Sequence, residues 1–316
     1  MRMAPRVVCV VGPTACGKTA LGVLLAKRYN GEVVSADSMQ IYRGMSIGTA
    51  APTAEEMDGV PHHMVAVADP AEPWSAARYV REAAPAVDGI LARGKLPILV
   101  GGTGLWLEAL IQGREFAAGH AGTAVRQELQ DRLEREGIEP LLRELRQVDP
   151  ASAARLHPAD TKRILRALEV YRETGKSITA HNAETASLPP RYDAVWIGLR
   201  FADRADMRAL IDRRVDAMVE AGLPEEVERL LRSGVPRDAT ALQAIGYKEF
   251  LGVLEGTSAL EEAVAEVKLR SRQYAKRQLT WLRRNPDIHW IIWEKERNFA
   301  WALQRSTEIL TAAGVS

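Results

Sequence analysis

Eight residues near the N-terminus, Gly12-Pro13-Thr14-Ala15-Cys16-Gly17-Lys18-Thr19, constrain this chain more than any other stretch. They satisfy the spacing G-x-x-x-x-G-K-[ST], in which consecutive backbone N–H groups of a glycine-rich turn wrap a phosphate. Their surroundings are what such a loop needs. Val7 to Val11 is a short β-branched run that reads as a buried strand, and Leu21, Leu24 and Leu25 come next at helical spacing. The helix start contributes partial positive charge, Lys18 a full one, and the Thr19 hydroxyl can ligate Mg²⁺. All eight residues are therefore candidate ligands of a diphosphate or triphosphate, with Thr19 the candidate metal ligand.

The same grammar recurs along the chain. Glu32 to Ala36 is strand-like, and Leu96 to Val100 is a third apolar run, ahead of Gly101-Gly102-Thr103-Gly104. Alternating strands and helices predict an α/β fold, a P-loop-type doubly wound parallel sheet whose ligands lie beyond the carboxyl ends of the strands. Asp37, Ser38 and Thr103 fall just after such strands. From 114 to 190 the pattern turns helical, with charge-rich stretches at 125–136 and 140–147, which predicts an inserted helical domain between core segments 1–113 and 191–316. Strand signals return at Ala194 to Leu199 and His289 to Trp293. Helices are expected over Arg204 to Leu231 and, as one long basic helix, over about Leu260 to Arg284.

Composition matters mainly for what it excludes. The net charge of +1, from 42 basic and 41 acidic residues, argues neither for nor against a polyanionic partner, so only local clustering can decide. Lys268 to Arg284 holds seven basic residues and no acidic one, with Arg270, Arg277 and Arg284 on roughly one helix face and Tyr274 and Trp281 interleaved as stacking surfaces. Two cysteines, Cys9 and Cys16, are too few for a disulfide framework and imply a reducing, cytoplasmic setting. The N-terminal apolar run is too short for a signal segment, and no stretch approaches the roughly 20 apolar residues of a membrane helix, so no membrane association is expected. His62 and His63 lack a second ligand cluster and read as packing residues. Cys16, at a helix start where a thiolate is stabilised, is expected to react with thiol reagents.

The loop alone leaves its ligand open. Nucleotide hydrolases pair it with an apolar strand ending in Asp, whereas Leu96 to Val100 ends in glycines. A small-molecule kinase using ATP remains an alternative, as does a noncatalytic RNA-binding switch. The wider pattern resembles the tRNA dimethylallyltransferase (tRNA isopentenyltransferase) family, of bacterial type. The likeness rests on the phosphate loop, Ser35 to Gly44 (SADSMQIYRG), Ile47-Gly-Thr-Ala50, Pro61-His-His63, Gly101 to Leu105, His157 to Val170, Ala244 to Glu249 and Arg272 to Trp281. It runs through nearly the whole chain.

The resemblance implies dimethylallyl diphosphate as donor, Mg²⁺ as cofactor, and the N6 amine of the adenosine beside the anticodon of tRNA as acceptor. It implies catalytic roles for Asp37 as general base, Thr103 beside the reacting centre and Arg214 near the diphosphate. Asp37, Ser38, Met39, Gln40 and Thr103 would hold the target adenine. The anticodon stem-loop would be gripped by Arg126, by Lys162, Arg163, Ile164, Leu165 and Arg166, by Gln243, Gly246, Tyr247 and Lys248, and by Lys276, Arg277, Gln278, Thr280, Trp281 and Arg283. A monomer without zinc is implied, since no cysteine comes after Cys16. The chain departs from the family pattern at Cys16 (usually serine), Met39 (arginine), Ala51 (lysine), Trp106 (tyrosine) and Leu210 (often arginine).

Overall fold

The computed structural model describes residues 4–114, 116 and 123–315. Six parallel strands form one sheet in the order β3-β2-β4-β1-β5-β6. They are β1 (Arg6–Val11), β2 (Gly31–Ser35), β3 (His62–His63), β4 (Leu96–Gly101), β5 (Asp193–Phe201) and β6 (Ile288–Trp293). The runs read from sequence match β1, β2, β4, β5 and β6 to within two residues at each end. The two-residue edge strand β3 carries no periodicity and is visible only in the fold. β1 is β-branched because it is covered on both faces: Val7, Cys9 and Val11 enter one apolar core, Val8 and Val10 the other.

The helices that cover the sheet begin with α1 (Lys18–Arg28), α2 (Ala54–Met57), α3 (Ala76–Ala92) and α4 (Gly104–Gln112). The chain then forms a separate compact unit, Gln112–Pro190, and returns to the first unit at Arg191. That insertion consists of α5 (Ala124–Glu136), α6 (Ile138–Val148), α7 (Pro150–Arg155), α8 (Thr161–Thr174) and α9 (Ile178–Ala186). Leu129, Leu141, Leu145, Ile164, Leu165 and Leu168 fill its own small core. Buried Asp149 ties two helix starts together, accepting from Ser152 N at 3.0 Å and from Thr179 Oγ1 at 2.7 Å. The second part of the sheet unit adds α10 (Arg204–Glu220), α11 (Leu223–Arg232), α12 (Lys248–Leu254), α13 (Leu260–Leu282) and α14 (Phe299–Ala312). Among the described residues no helix is long and apolar enough to cross a membrane.

One ion knot holds the β2 edge of the sheet. The buried carboxylate of Glu32 accepts from His63 Nε2 at 2.7 Å, Arg93 at 2.6 Å and Lys95 at 2.9 Å. His62 turns its Nδ1 to Val60 O at 2.8 Å, so both histidines serve packing. Burial pushes the Glu32 carboxyl upward, but the hydrogen bonds from His63, Lys95 and Arg93 outweigh it and hold the group at about 2. The folded value lies below the ordinary 4.5, so this contribution to stability is complete above that pH and disappears as pH falls from there through about 2. Glu32→Gln should lower stability at neutral pH by about 2–3 kcal/mol, because Arg93 and Lys95 lose their counter-charge. It should also flatten the acid limb of the stability curve, as checked by urea titrations between those two pH values.

Candidate active site

Because all strands are parallel, the loops after β1, β2 and β4 emerge at one end of the sheet. The three strands are immediate neighbours, with axes about 4.8 Å apart. After β1 the backbone turns with positive φ at Gly12 (153°), Ala15 (65°) and Gly17 (90°), the conformation that points successive N–H groups into one hollow. A Cβ at Gly12 would stand 2.5 Å from Leu199 O and 2.7 Å from Cys16 Sγ, so only glycine fits there. At the start of α1, Gly17 supplies no side-chain cap, which leaves the first N–H groups for an anion. Lys18 Nζ donates to Pro13 O at 2.9 Å, lying across the hollow.

The back of the loop is held from far along the chain. Thr14 N donates to Gln278 Oε1 at 2.9 Å, and Gln278 Nε2 donates to Gly102 O at 3.2 Å, linking the turns after β1 and β4. Trp293 Nε1 donates to Cys16 O at 2.9 Å. Arg214 of α10 donates to Thr14 Oγ1 at 3.2 Å. Burial pushes its pKa down, opposed by the charge of Asp37, and a guanidinium stays protonated throughout. It is thus a fixed cation between the phosphate loop and Asp37.

Beside the loop, the ends of β2 and β4 remain stitched together. Ala36 N donates to Val100 O at 2.8 Å and Thr103 N to Ala36 O at 3.2 Å. This places Thr103 next to Ser38, whose N donates to Thr103 Oγ1 at 3.1 Å. Asp37 accepts from Met39 N at 3.0 Å, which leaves carboxylate lone pairs facing a cavity shared with Thr14, Arg214 and Tyr274. Burial and the nearby charge of Asp37 push the Tyr274 phenol up to about 12, against hydrogen bonds to Thr103 and Gln278, so it is a neutral hydroxyl at physiological pH. Ile211, Val215, Met218 and Val267 give the same cavity an apolar wall.

The opposite wall is a loop clamped by a single carboxylate. Buried Glu226 of α11 accepts from Ile47 N at 2.9 Å, Gly48 N at 3.0 Å, Ser46 Oγ at 3.3 Å and Tyr247 Oη at 2.6 Å. Gln40 reinforces it, donating to Ala50 O at 3.0 Å and accepting from Ser35 Oγ at 3.1 Å, so its amide orders the loop while it also lines the cavity beside Asp37. The role of Glu226 carries no motif signal, since the loop it clamps lies 179 residues away at Ile47.

Other expectations also change once burial is known. Ile164 and Leu165 belong to the core of the insertion, Tyr247 is buried on Glu226, and Gln278 is buried behind the phosphate loop, so none of these side chains is exposed at the surface as an RNA contact would have it. Lys162 and Arg163 are exposed on α8, Arg163 pairing with Asp160, while Arg166 pairs with buried Glu169. Arg126, in the first turn of α5, is half-buried. Gln243 and Lys248 are exposed, and Gly246 lines the cavity near Asp37. On α13, Lys276, Arg277, Thr280 and Trp281 are exposed and Arg283 comes just after the helix. Arg277 stacks over Tyr274 at 5.7 Å and Arg284 over Trp281 at 5.4 Å, while Arg270 pairs with Glu266. Cys16 corrects the expectation of a reactive thiol: it is fully buried, and burial pushes its thiol up more strongly than Lys18 lowers it.

Known proteins share this arrangement. A family model described as IPP transferase matches residues 40–285, and one described as isopentenyl transferase matches 5–70. The tRNA dimethylallyltransferase of Halalkalibacterium halodurans is 46% identical over 288 residues, covering 91% of each chain. The crystal structure of the full-length tRNA isopentenylpyrophosphate transferase from Bacillus halodurans superposes with a TM-score of 0.72 at 42% identity, covering 99% of this chain and 98% of that one. A eukaryotic dimethylallyltransferase acting on tRNA superposes with a TM-score of 0.83 at 30% identity, covering 98% of this chain and 79% of that one.

This geometry has two measurable consequences. A chromogenic disulfide reagent should find no reactive thiol in the folded protein and both Cys9 and Cys16 after denaturation. Glu226→Ala, which orphans several buried donors, should cost about 3 kcal/mol in denaturant melts. The accompanying gain in hydrogen exchange should concentrate at Ile47 and Gly48.

Proposed function

The chain belongs to the tRNA dimethylallyltransferase, or IPP transferase, family, and we propose that its donor is dimethylallyl diphosphate, held by the Gly12–Thr19 loop, and its acceptor the N6 amine of the adenosine beside the anticodon. One observation carries this reading. The phosphate loop and Asp37 sit at the ends of strands of one parallel sheet and line one cavity, Thr14 and Asp37 also line a cavity with an apolar wall, and Thr103 is tied to Ser38 beside them.

Each wall then has a task. The loop N–H groups, Lys18 and Arg214 meet the diphosphate, and Ile211, Val215 and Met218 receive the dimethylallyl tail. The amine lone pair forms the new bond to the allylic carbon as that carbon's bond to the diphosphate oxygen breaks, its electron pair leaving with the diphosphate. The proton shed by the amine passes to the Asp37 carboxylate, which also orients the nitrogen. Thr103, fixed by Ser38 N, holds the acceptor next to that carboxylate. Cations around the leaving group act where charge develops, which is where electrostatic stabilisation lowers a barrier most.

The donor set suits Mg²⁺. Among the described residues no group of three or more His, Cys, Asp or Glu could cage a metal. Thr19 lines the cavity beside Lys18 with one hydroxyl, and Mg²⁺ characteristically takes its remaining oxygens from phosphates and water. Thr19 would hold it, and the bound ion would supply charge neutralisation at the departing diphosphate. The exposed, cationic and aromatic face of α13 offers phosphate contacts and stacking for the RNA. The adenine must leave its stack to reach Asp37, so the target base is flipped outward.

Incubation with dimethylallyl diphosphate, ATP, Mg²⁺ and tRNA, with mass spectrometry of the nucleosides afterwards, should show a dimethylallyl-adenosine with ATP intact; an unmodified digest with consumed ATP would point instead to a kinase. Asp37→Asn should lower the transfer rate by about 10²–10⁴-fold while donor affinity stays within about threefold of wild type. A matching loss of donor affinity would reassign Asp37 to the phosphate site.

A further inference from the structure

The C-terminal segment is built onto the phosphate loop. β6 ends at Trp293, whose indole donates to Cys16 O, and α14 begins at Phe299, whose ring stands edge-on to Trp293 at 5.7 Å. The Phe299 ring also covers Gly17: a Cβ there would meet it at 2.8 Å, on a residue whose φ of 90° already favours glycine. Asn298 fixes the helix start by accepting from Trp301 N at 3.0 Å. The linker 294–298 is therefore tied at both ends to the loop that cradles phosphate.

Arg297 hangs from this tied linker. Its Cδ lies 3.4 Å from where a Gly17 Cβ would be, its guanidinium lies 5.8 Å from the Phe299 ring centre, and it lines the same cavity as Lys18, Thr19, Arg213 and Arg214. Among the described residues it forms no ion pair, unlike the other arginines paired across this unit such as Arg272 with Asp212 and Arg93 with Glu32. Arg297 is close enough to Arg214 to disfavour its charge, a repulsion that an anion between them relieves. In this cavity Lys18, Arg213, Arg214 and Arg297 outnumber the carboxylates of Asp37 and Glu56, so it favours an anionic guest.

We propose that Arg297 is a further ligand of the donor's diphosphate, closing on its outer oxygens from the C-terminal side of the loop, so that the strand-to-helix linker acts as a donor clamp. This rests on the reading that the Gly12–Thr19 loop holds the donor. A guanidinium suits the task because its planar donor fork matches two phosphate oxygens at once. The clamp would set affinity for the diphosphate head while leaving the transfer step to Asp37 and its neighbours.

The test is calorimetric titration of inorganic pyrophosphate and of dimethylallyl diphosphate into wild type, Arg297→Gln and Arg297→Lys, at low and high salt, with steady-state transfer to tRNA alongside. Arg297→Gln should weaken pyrophosphate binding about tenfold and raise KM for the donor with kcat nearly unchanged. Arg297→Lys should recover part of the loss, and high salt should narrow the gap to wild type. Equal pyrophosphate affinity in wild type and Arg297→Gln would overturn the proposal. So would a loss that neither lysine nor salt relieves and that tracks a lowered melting temperature. Wild type that binds no pyrophosphate, yet transfers the prenyl group, would sink the loop reading itself.

Discussion

Everything in the sheet unit depends on a backbone forced to point its N–H groups inward. Between Gly12 and Gly17 the chain makes three excursions to positive φ, one of them at Ala15, and such a turn does not hold itself. It persists because distant residues over-determine it. Gln278 takes the N–H of Thr14, Trp293 takes the carbonyl of Cys16, Leu199 presses on Gly12 and Phe299 on Gly17. Strain of this kind is sustained only when the surroundings fix it from several sides, and here α13, β5, β6 and α14 each provide one.

The parallel sheet turns that loop into a site. Strands β2, β4 and β1 lie side by side, so the loops leaving their carboxyl ends converge whatever the sequence distance between them. Asp37 and Thr103 are 66 residues apart in number yet share Ser38 as a common neighbour, because Ala36, bonded to Val100 O and to Thr103 N, continues the β2–β4 ladder past its last pair, Ser35 with Val100. Glu226 and Gln40 then brace the facing loop. A preorganised site of this sort spends little on rearrangement as charge develops, which is where such enzymes obtain most of their rate.

Legibility differed by residue type. Strands covered on both faces announce themselves, so β1, β4 and β5 were readable from Val, Ile and Leu runs alone, whereas β3 has two histidines and no pattern. The basic stretch of α13 was readable as charge, but its use was not. Gln278 sits within that stretch and faces inward to the phosphate loop, while Lys276 and Arg277 beside it face solvent. Tyr247 and Leu165 likewise lie in motif segments that suggested RNA contact, and both are core residues. Cys16 failed as a reactive thiol because the helix start that lowers a thiol's pKa is outweighed by complete burial.

By itself the sequence determined a phosphate-loop pattern at Gly12 to Thr19, because the N–H groups of such a turn are consecutive backbone groups whose geometry is set by eight adjacent residues. It likewise determined the parallel α/β order, since burial on both faces leaves an apolar run in each inner strand. Only the tertiary structure decided which side chains of the motif segments face the cavity, which brace it and which are core. Those outcomes depend on packing partners up to 277 residues away, such as Trp293 on Cys16, and no local pattern encodes a contact whose two halves meet only after the sheet has formed.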